Sequence, residues 1–176
     1  TSEINGFNFS KKEQSSELYI KAVNALEQYR NRKLKAEKVF DLKLMGKFYA
    51  LVDLAGGYHC LRWINMRYYF NPSTHLFEPV GYDSDAKRIT QLSINQKSLN
   101  PAHHEGIMKH PLFLKSYKKH LKIYSQKDFL DDFFSQHEKE LQLYFEAFQH
   151  QFKVNKSYSN WDLYLNQWVM KCHMNN

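Results

Sequence analysis

The chain's 176 residues carry 25 Lys and Arg against 18 Asp and Glu, a net charge of +7, with 43% hydrophobic and 16% aromatic side chains. That is too apolar for wholesale disorder and long enough to bury one core. No apolar run approaches the roughly 18 residues a membrane-spanning helix needs, and only 6 Gly and 4 Pro argue for helices over a turn-rich all-β design.

The positive balance suits acidic or phosphorylated partners, nucleotides included. The lysines, however, are spread along expected helix faces (Lys33, Lys35, Lys38; Lys115, Lys118, Lys119, Lys122) and no nucleic-acid motif is present, so solvated faces and no nucleic-acid partner are predicted. Cys60 and Cys172 lie far apart without CxxC spacing, which predicts two free thiols and no zinc ribbon. No signal-peptide pattern opens the chain, and a start on Thr1 rather than Met predicts a processed or trimmed piece.

In chain order, an extended arm precedes Ser10-Lys11-Lys12-Glu13, a capping-box pattern whose Ser and Glu satisfy free amides at a helix start. Leu18, Ala22, Leu26 and Tyr29 follow at helical spacing, with the helix running to about Lys38. Asp41 caps a second helix, Leu42 to Ala55, expected to bury Leu44, Phe48, Leu51, Val52 and Ala55. Gly56-Gly57 ends it, because glycine takes the left-handed conformation of a helix C-terminus.

Met66 to Phe70 is rich in strand formers, Asn71-Pro72-Ser73-Thr74 is turn chemistry, and Leu76 to Tyr82 returns as the second strand of a hairpin. Residues 84–106 lack periodicity and predict a long loop, more often functional than incidental. His110-Pro111 opens a helix to about Tyr124 with Phe113, Tyr117 and Leu121 on one side. Ser125-Gln126-Lys127-Asp128 starts another, whose Leu130, Phe134, His137, Leu141, Phe145, Phe148 and Phe152 predict a buried stripe. Trp161, Leu165, Trp168 and Cys172 mark a last helix, the tryptophans read as packing residues rather than a carbohydrate platform. Residues 1–176 have no linker or repeat, so one domain is predicted.

Between Gly56 and Asp85, a buried helix delivers a loop bearing Asn65, and the returning hairpin strand delivers Asp83 and Asp85. An amide oxygen and two carboxylates suit a hard divalent cation; magnesium takes one or two carboxylates together with substrate phosphates. An Asn, a hairpin and then an Asp is how kinase-fold enzymes hold the metal on their nucleotide.

In these residues the chain resembles the CotH (spore coat protein H) family of kinase-like proteins. The likeness lies in the Leu- and Ala-rich helix before the loop, in Asn65-Met66-Arg67-Tyr68-Tyr69-Phe70, in Pro79-Val80-Gly81-Tyr82-Asp83-Ser84-Asp85, and in Pro111, Phe113, Tyr117 and Leu121 downstream; it covers residues 40 to 152. The resemblance implies an α-rich α+β fold, a kinase-like C-lobe that is helical with a short β-hairpin beside a metal site, and an upstream small lobe outside this chain. It also implies an atypical protein kinase moving phosphate from ATP, with Mg2+ or Mn2+, to Ser of a coat or surface protein. Asn65 and Asp83 then bind the nucleotide-bound metal, with Asp85 as a neighbouring ligand, and the compartment would be a bacterial spore coat or cell surface.

One departure weighs on catalysis. A kinase catalytic loop carries its Asp five positions before that Asn; here that position is Cys60, preceded by His59. His59 is therefore the candidate proton acceptor, since imidazole works near neutral pH; otherwise the base is absent and the chain is a non-catalytic pseudokinase or assembly domain. A D-x-D glycosyltransferase would want alternating strands and helices, which the chain lacks.

Plainer readings stand beside these. Asp83-Ser84-Asp85 can cap a turn, Asn65 can be a turn residue, and His59 can be a scaffold for backbone carbonyls. Arg62 and Arg67 can meet phosphate, but pairing with Asp53 or Glu78 is the simpler expectation. Adjacent His103 and His104, with Glu105 and His110, are poorly spaced for zinc.

Overall fold

The computed structural model describes residues 16–62, 64–96, 106–152 and 160–174. They form a small, mostly helical domain with one short antiparallel hairpin.

Helix α1 spans Glu17–Arg30 and starts on Ser16, whose Oγ accepts from the Tyr19 amide at 3.2 Å. The predicted Ser10 start lies outside the described residues. The helix ends at Arg30 rather than near Lys38: Asn31 closes it and Arg32 turns left-handed (φ 59°) before a 3₁₀ turn at Ala36–Lys38. None of its residues is fully buried; Ala22, Ala25, Leu26 and Tyr29 lie against the core from outside.

Helix α2, Leu42–Ala55, has the predicted bounds because both ends are fixed locally. Asp41 Oδ1 accepts from the amides of Lys43 (3.0 Å) and Leu44 (2.9 Å), and Gly56 stops the helix at φ 68°. Its buried face is not the predicted one. Of the five residues expected inside, only Val52 is fully buried and Leu51 is exposed; Leu42, Met45, Tyr49 and Ala50 form the core face. The helix is apolar almost all round, so periodicity gives it no direction.

Gly46 sets the face. Helix α3, Pro111–Tyr124, crosses α2 so closely there that a β-carbon on Gly46 would stand 2.6 Å from the Phe113 carbonyl oxygen and 2.8 Å from the Tyr117 nitrogen. Across the contact, Tyr49 meets Phe113 edge-on at 5.1 Å, and Ser116 Oγ donates to the Lys43 carbonyl at 2.6 Å. Phe113, Tyr117 and Leu121, which the spacing puts on one side, are all buried.

Strands β1 (Arg67–Phe70) and β2 (Phe77–Val80) pair Arg67 with Val80 and Phe70 with Phe77. Asn71 Oδ1 shapes the turn by accepting from the Ser73 amide at 2.9 Å. The hairpin is tied to α2's entry: the Phe77 amide donates to Val39 O at 2.8 Å and the Asp41 amide to Phe77 O at 3.0 Å. Phe40, Tyr68 and Phe77 cluster beneath it with ring centroids 5.3 to 6.0 Å apart.

Helix α4, Phe129–Phe152, corrects the predicted buried stripe. Leu130 is buried and Phe134 rests on the core, but Leu141 and Phe148 are exposed. Helix α5, Trp161–Met174, also presents a different face: Asn166, Gln167 and Met170 are buried, whereas Trp161 and Trp168, expected as packing residues, are exposed. Among the described residues no helix is long and apolar enough to cross a membrane.

Candidate functional site

After Gly56 the chain makes a 3₁₀ turn, Tyr58–Leu61, that drives Cys60 and Leu61 into the core and leaves His59 half-buried at the surface. Cys60 occupies the position five before Asn65. It is 2% exposed and burial pushes its thiol up to about 11, so it offers no base.

Asn65 is buried immediately before β1. Its Nδ2 donates to the His59 carbonyl at 3.0 Å and stands 3.1 Å from His59 Nδ1. From the other side of the hairpin, Asp83 brings its Oδ2 and its carbonyl oxygen each to 3.2 Å from the same Nδ1. Two acceptor atoms of Asp83 face that nitrogen, and the Asn65 amide has a carbonyl partner of its own. Together these favour the tautomer that carries its proton on Nδ1.

Asp83 and Asp85 both hold left-handed backbones, at φ 50° and 46°. Aspartate tolerates this region better than most residues, yet such conformations cost on the order of 1 kcal/mol or more and persist only where the surroundings impose them. Asp85 is turned to Lys87 as an ion pair. That hydrogen bond, aided by the charge of Lys87 itself and of nearby Arg62, holds its carboxyl below the usual carboxylate range.

Of the four predicted site residues, the structure thus brings Asn65 and Asp83 each into contact with His59 and directs Asp85 to a lysine. Among the described residues no group of three or more His, Cys, Asp or Glu is placed to hold a metal ion. His103, His104 and Glu105 lie outside the described residues; His110 caps α3 and meets Glu37 at 3.4 Å.

Arg67 donates to the Ile64 carbonyl at 2.8 Å and lies over the Tyr82 ring at 4.7 Å, while Glu78 takes the Asn71 amide at 2.7 Å. Asp53 is wholly buried, accepting from the Ser93 amide (2.7 Å), Ser93 Oγ (3.1 Å) and the Tyr117 hydroxyl (2.5 Å). Burial pushes its carboxyl up to about 6, against the lowering effect of these bonds.

Asp53 and Asn166, neither singled out from sequence as a site residue, fasten the segment that carries Asp83 and Asp85. For Asp53 a signal existed: the one carboxylate of its helix, set between Val52 and Leu54. Asn166 gave none. A cavity of about 770 Å3 lined by Lys122, Phe129, Phe133 and Lys171 shares no residue with this site.

No family model, curated protein or solved structure matches the chain.

Proposed function

We propose that the chain forms the helical lobe of a CotH-like, kinase-related domain in which Asn65 and Asp83 hold Mg2+ or Mn2+ on the phosphates of ATP. The reaction is transfer of phosphate to Ser of a coat or surface protein. The observation that carries this reading is the convergence of Asn65 and Asp83, from opposite sides of one hairpin, on His59 Nδ1.

The donor atoms suit the ion: an amide oxygen and a carboxylate oxygen, with phosphate completing a hard oxygen shell. When bound, the cation would neutralise charge on the transferring phosphoryl group. The chain's own part is orientation. The Asn65 nitrogen is pinned to a backbone carbonyl, which leaves its oxygen as the ligand, and Asp83 gives Oδ2 to His59 and keeps Oδ1 for the ion. With Nδ1 engaged, Nε2 of His59 is the nitrogen that accepts the substrate hydroxyl proton.

A second reading, a non-catalytic pseudokinase or assembly domain, is favoured by one observation: buried Cys60 stands where a kinase carries its catalytic carboxylate. Calorimetric titration of the intact protein with ATP and Mg2+ or Mn2+ tests the first reading. Binding heat lost in Asp83→Ala supports it, and absence of heat in the unmodified protein overturns it in favour of the second. Phosphate incorporation into a Ser-rich coat protein, abolished by Asp83→Ala and His59→Ala, then decides for transfer.

A further inference from the structure

The chain from Asp83 to Ile89 has no regular secondary structure, yet it holds two left-handed aspartates in place. What fixes it comes from the far end of the sequence. Asn166, on α5, is 0% exposed and spends its whole amide on backbone. Its Oδ1 accepts from the Ile89 amide at 2.8 Å, and its Nδ2 donates to Lys87 O at 2.9 Å and to Leu54 O at 3.0 Å. One side chain thereby joins the last turn of α2 to the loop.

The loop can come that close because Gly56 has no side chain. A β-carbon there would lie 1.6 Å from Lys87 O and 2.9 Å from Asn166 Nδ2, and the Lys87 amide donates back to Gly56 O at 3.2 Å. One residue on, Gly57 faces Ser84, whose Cβ would be 3.0 Å from an added β-carbon. The loop therefore runs along the end of α2 from Lys87 to Ser84 and delivers Asp83 to His59. Further along, Asp53 takes the Ser93 amide and Tyr58 donates to the Gln91 carbonyl.

We propose that Asn166 is the positioning residue of the site: it sets the path of residues 83–89 and, through it, the contact of Asp83 with His59, so that α5 is part of the site. The consequence for ligand binding rests on the nucleotide reading above; the clamp itself does not. Buried amides left without partners are costly, and a side chain that satisfies three backbone groups at once fixes their relative positions more tightly than packing does.

The test compares Asn166→Leu, which keeps size but removes all three bonds, with Met170→Ala, which opens a cavity one turn on in the same helix. Hydrogen exchange at the Lys87 and Ile89 amides and the 15N shifts of the His59 ring are read in the whole chain. Asn166→Leu is expected to speed exchange at Ile89 at least tenfold beyond Met170→Ala and to move the His59 signals, with amides of α2 and α3 no more affected than in the control. Should Asn166→Leu not fold, Asn166→Ser is read in the same way. Equal exchange and unmoved His59 signals in the two helix variants overturn the proposal. Titration with ATP and Mg2+ is a separate arm: a tenfold weaker affinity in Asn166→Leu supports the functional consequence. If the unmodified protein shows no binding, the nucleotide reading fails while the exchange data still decide the clamp.

Discussion

Tyr117 donates its hydroxyl hydrogen to Asp53 across 2.5 Å, inside the contact between α3 and α2. The carboxyl belongs to a core otherwise built of Met45, Tyr49 and Phe113. Burial raises it to about 6, and the Tyr117 hydroxyl is raised too, by burial and by the neighbouring carboxylate.

A pH dependence follows. A carboxyl whose folded value is raised binds its proton more tightly in the native state, so stability falls as pH rises from about 4 to about 6 and is level above that. The difference is on the order of 3 kcal/mol at 1.36 kcal/mol per unit. Asp85, with its depressed carboxyl, acts in the opposite sense and only as pH falls below the ordinary Asp value of 3.8. Urea midpoints should therefore drop between pH 4.5 and 6.5, and Asp53→Asn should flatten that interval. A slope unchanged in Asp53→Asn would put the titrating group elsewhere.

At Gly46 the sign of the effect is informative. Gly→Ala in an exposed helix interior gains about 1 kcal/mol. Here the new methyl meets backbone of α3 on two sides, so Gly46→Ala should lose about 1–3 kcal/mol instead. Chemical denaturation measures it, and a gain in stability would mean the two helices do not cross at this residue.

The thiols should differ sharply. Cys60 is buried with its thiol raised to about 11, while Cys172 is partly exposed. Iodoacetamide at pH 8 followed by mass spectrometry should label Cys172 in the folded protein and Cys60 only after denaturant is added.

Along α4, stability should depend on position within one apolar stripe. Leu130→Ala, at a buried site, is expected to cost about 2–5 kcal/mol. Leu141→Ser, at an exposed one, should change stability by no more than about 0.5 kcal/mol. Comparable losses at both sites would show that the far half of the helix is covered in solution.

Elements whose ends are written in neighbouring residues were readable from sequence. Asp41 and Gly56 bound α2, Pro111 opens α3, and Asn71 turns the hairpin, each through contacts within a few positions. Faces were less readable. Trp161 and Trp168 share the spacing of a core stripe, yet α5 turns the polar pair Asn166 and Gln167 inward, because backbone carbonyls and amides of distant segments need partners there. The candidate site divides in the same way. His59, Asn65 and Asp83 were named from a short run of sequence, and His59 is found in contact with each of the other two; the pairing of Asp85 with Lys87 is just as local, whereas the anchors Asp53 and Asn166 depend on how separate stretches meet.

The partners of Asn166 lie 77, 79 and 112 positions earlier in the chain. During synthesis the α2–α3 pair and the hairpin, built from contacts nearer in sequence, are available long before the ribosome has made α5. Until then the loop has the Gly56, Asp53 and Tyr58 contacts but lacks the two bonds that Asn166 makes to Lys87 and Ile89. If Asn166 positions the site as proposed, a chain still being translated carries His59, Asn65 and Asp83 before it carries the side chain that sets their places.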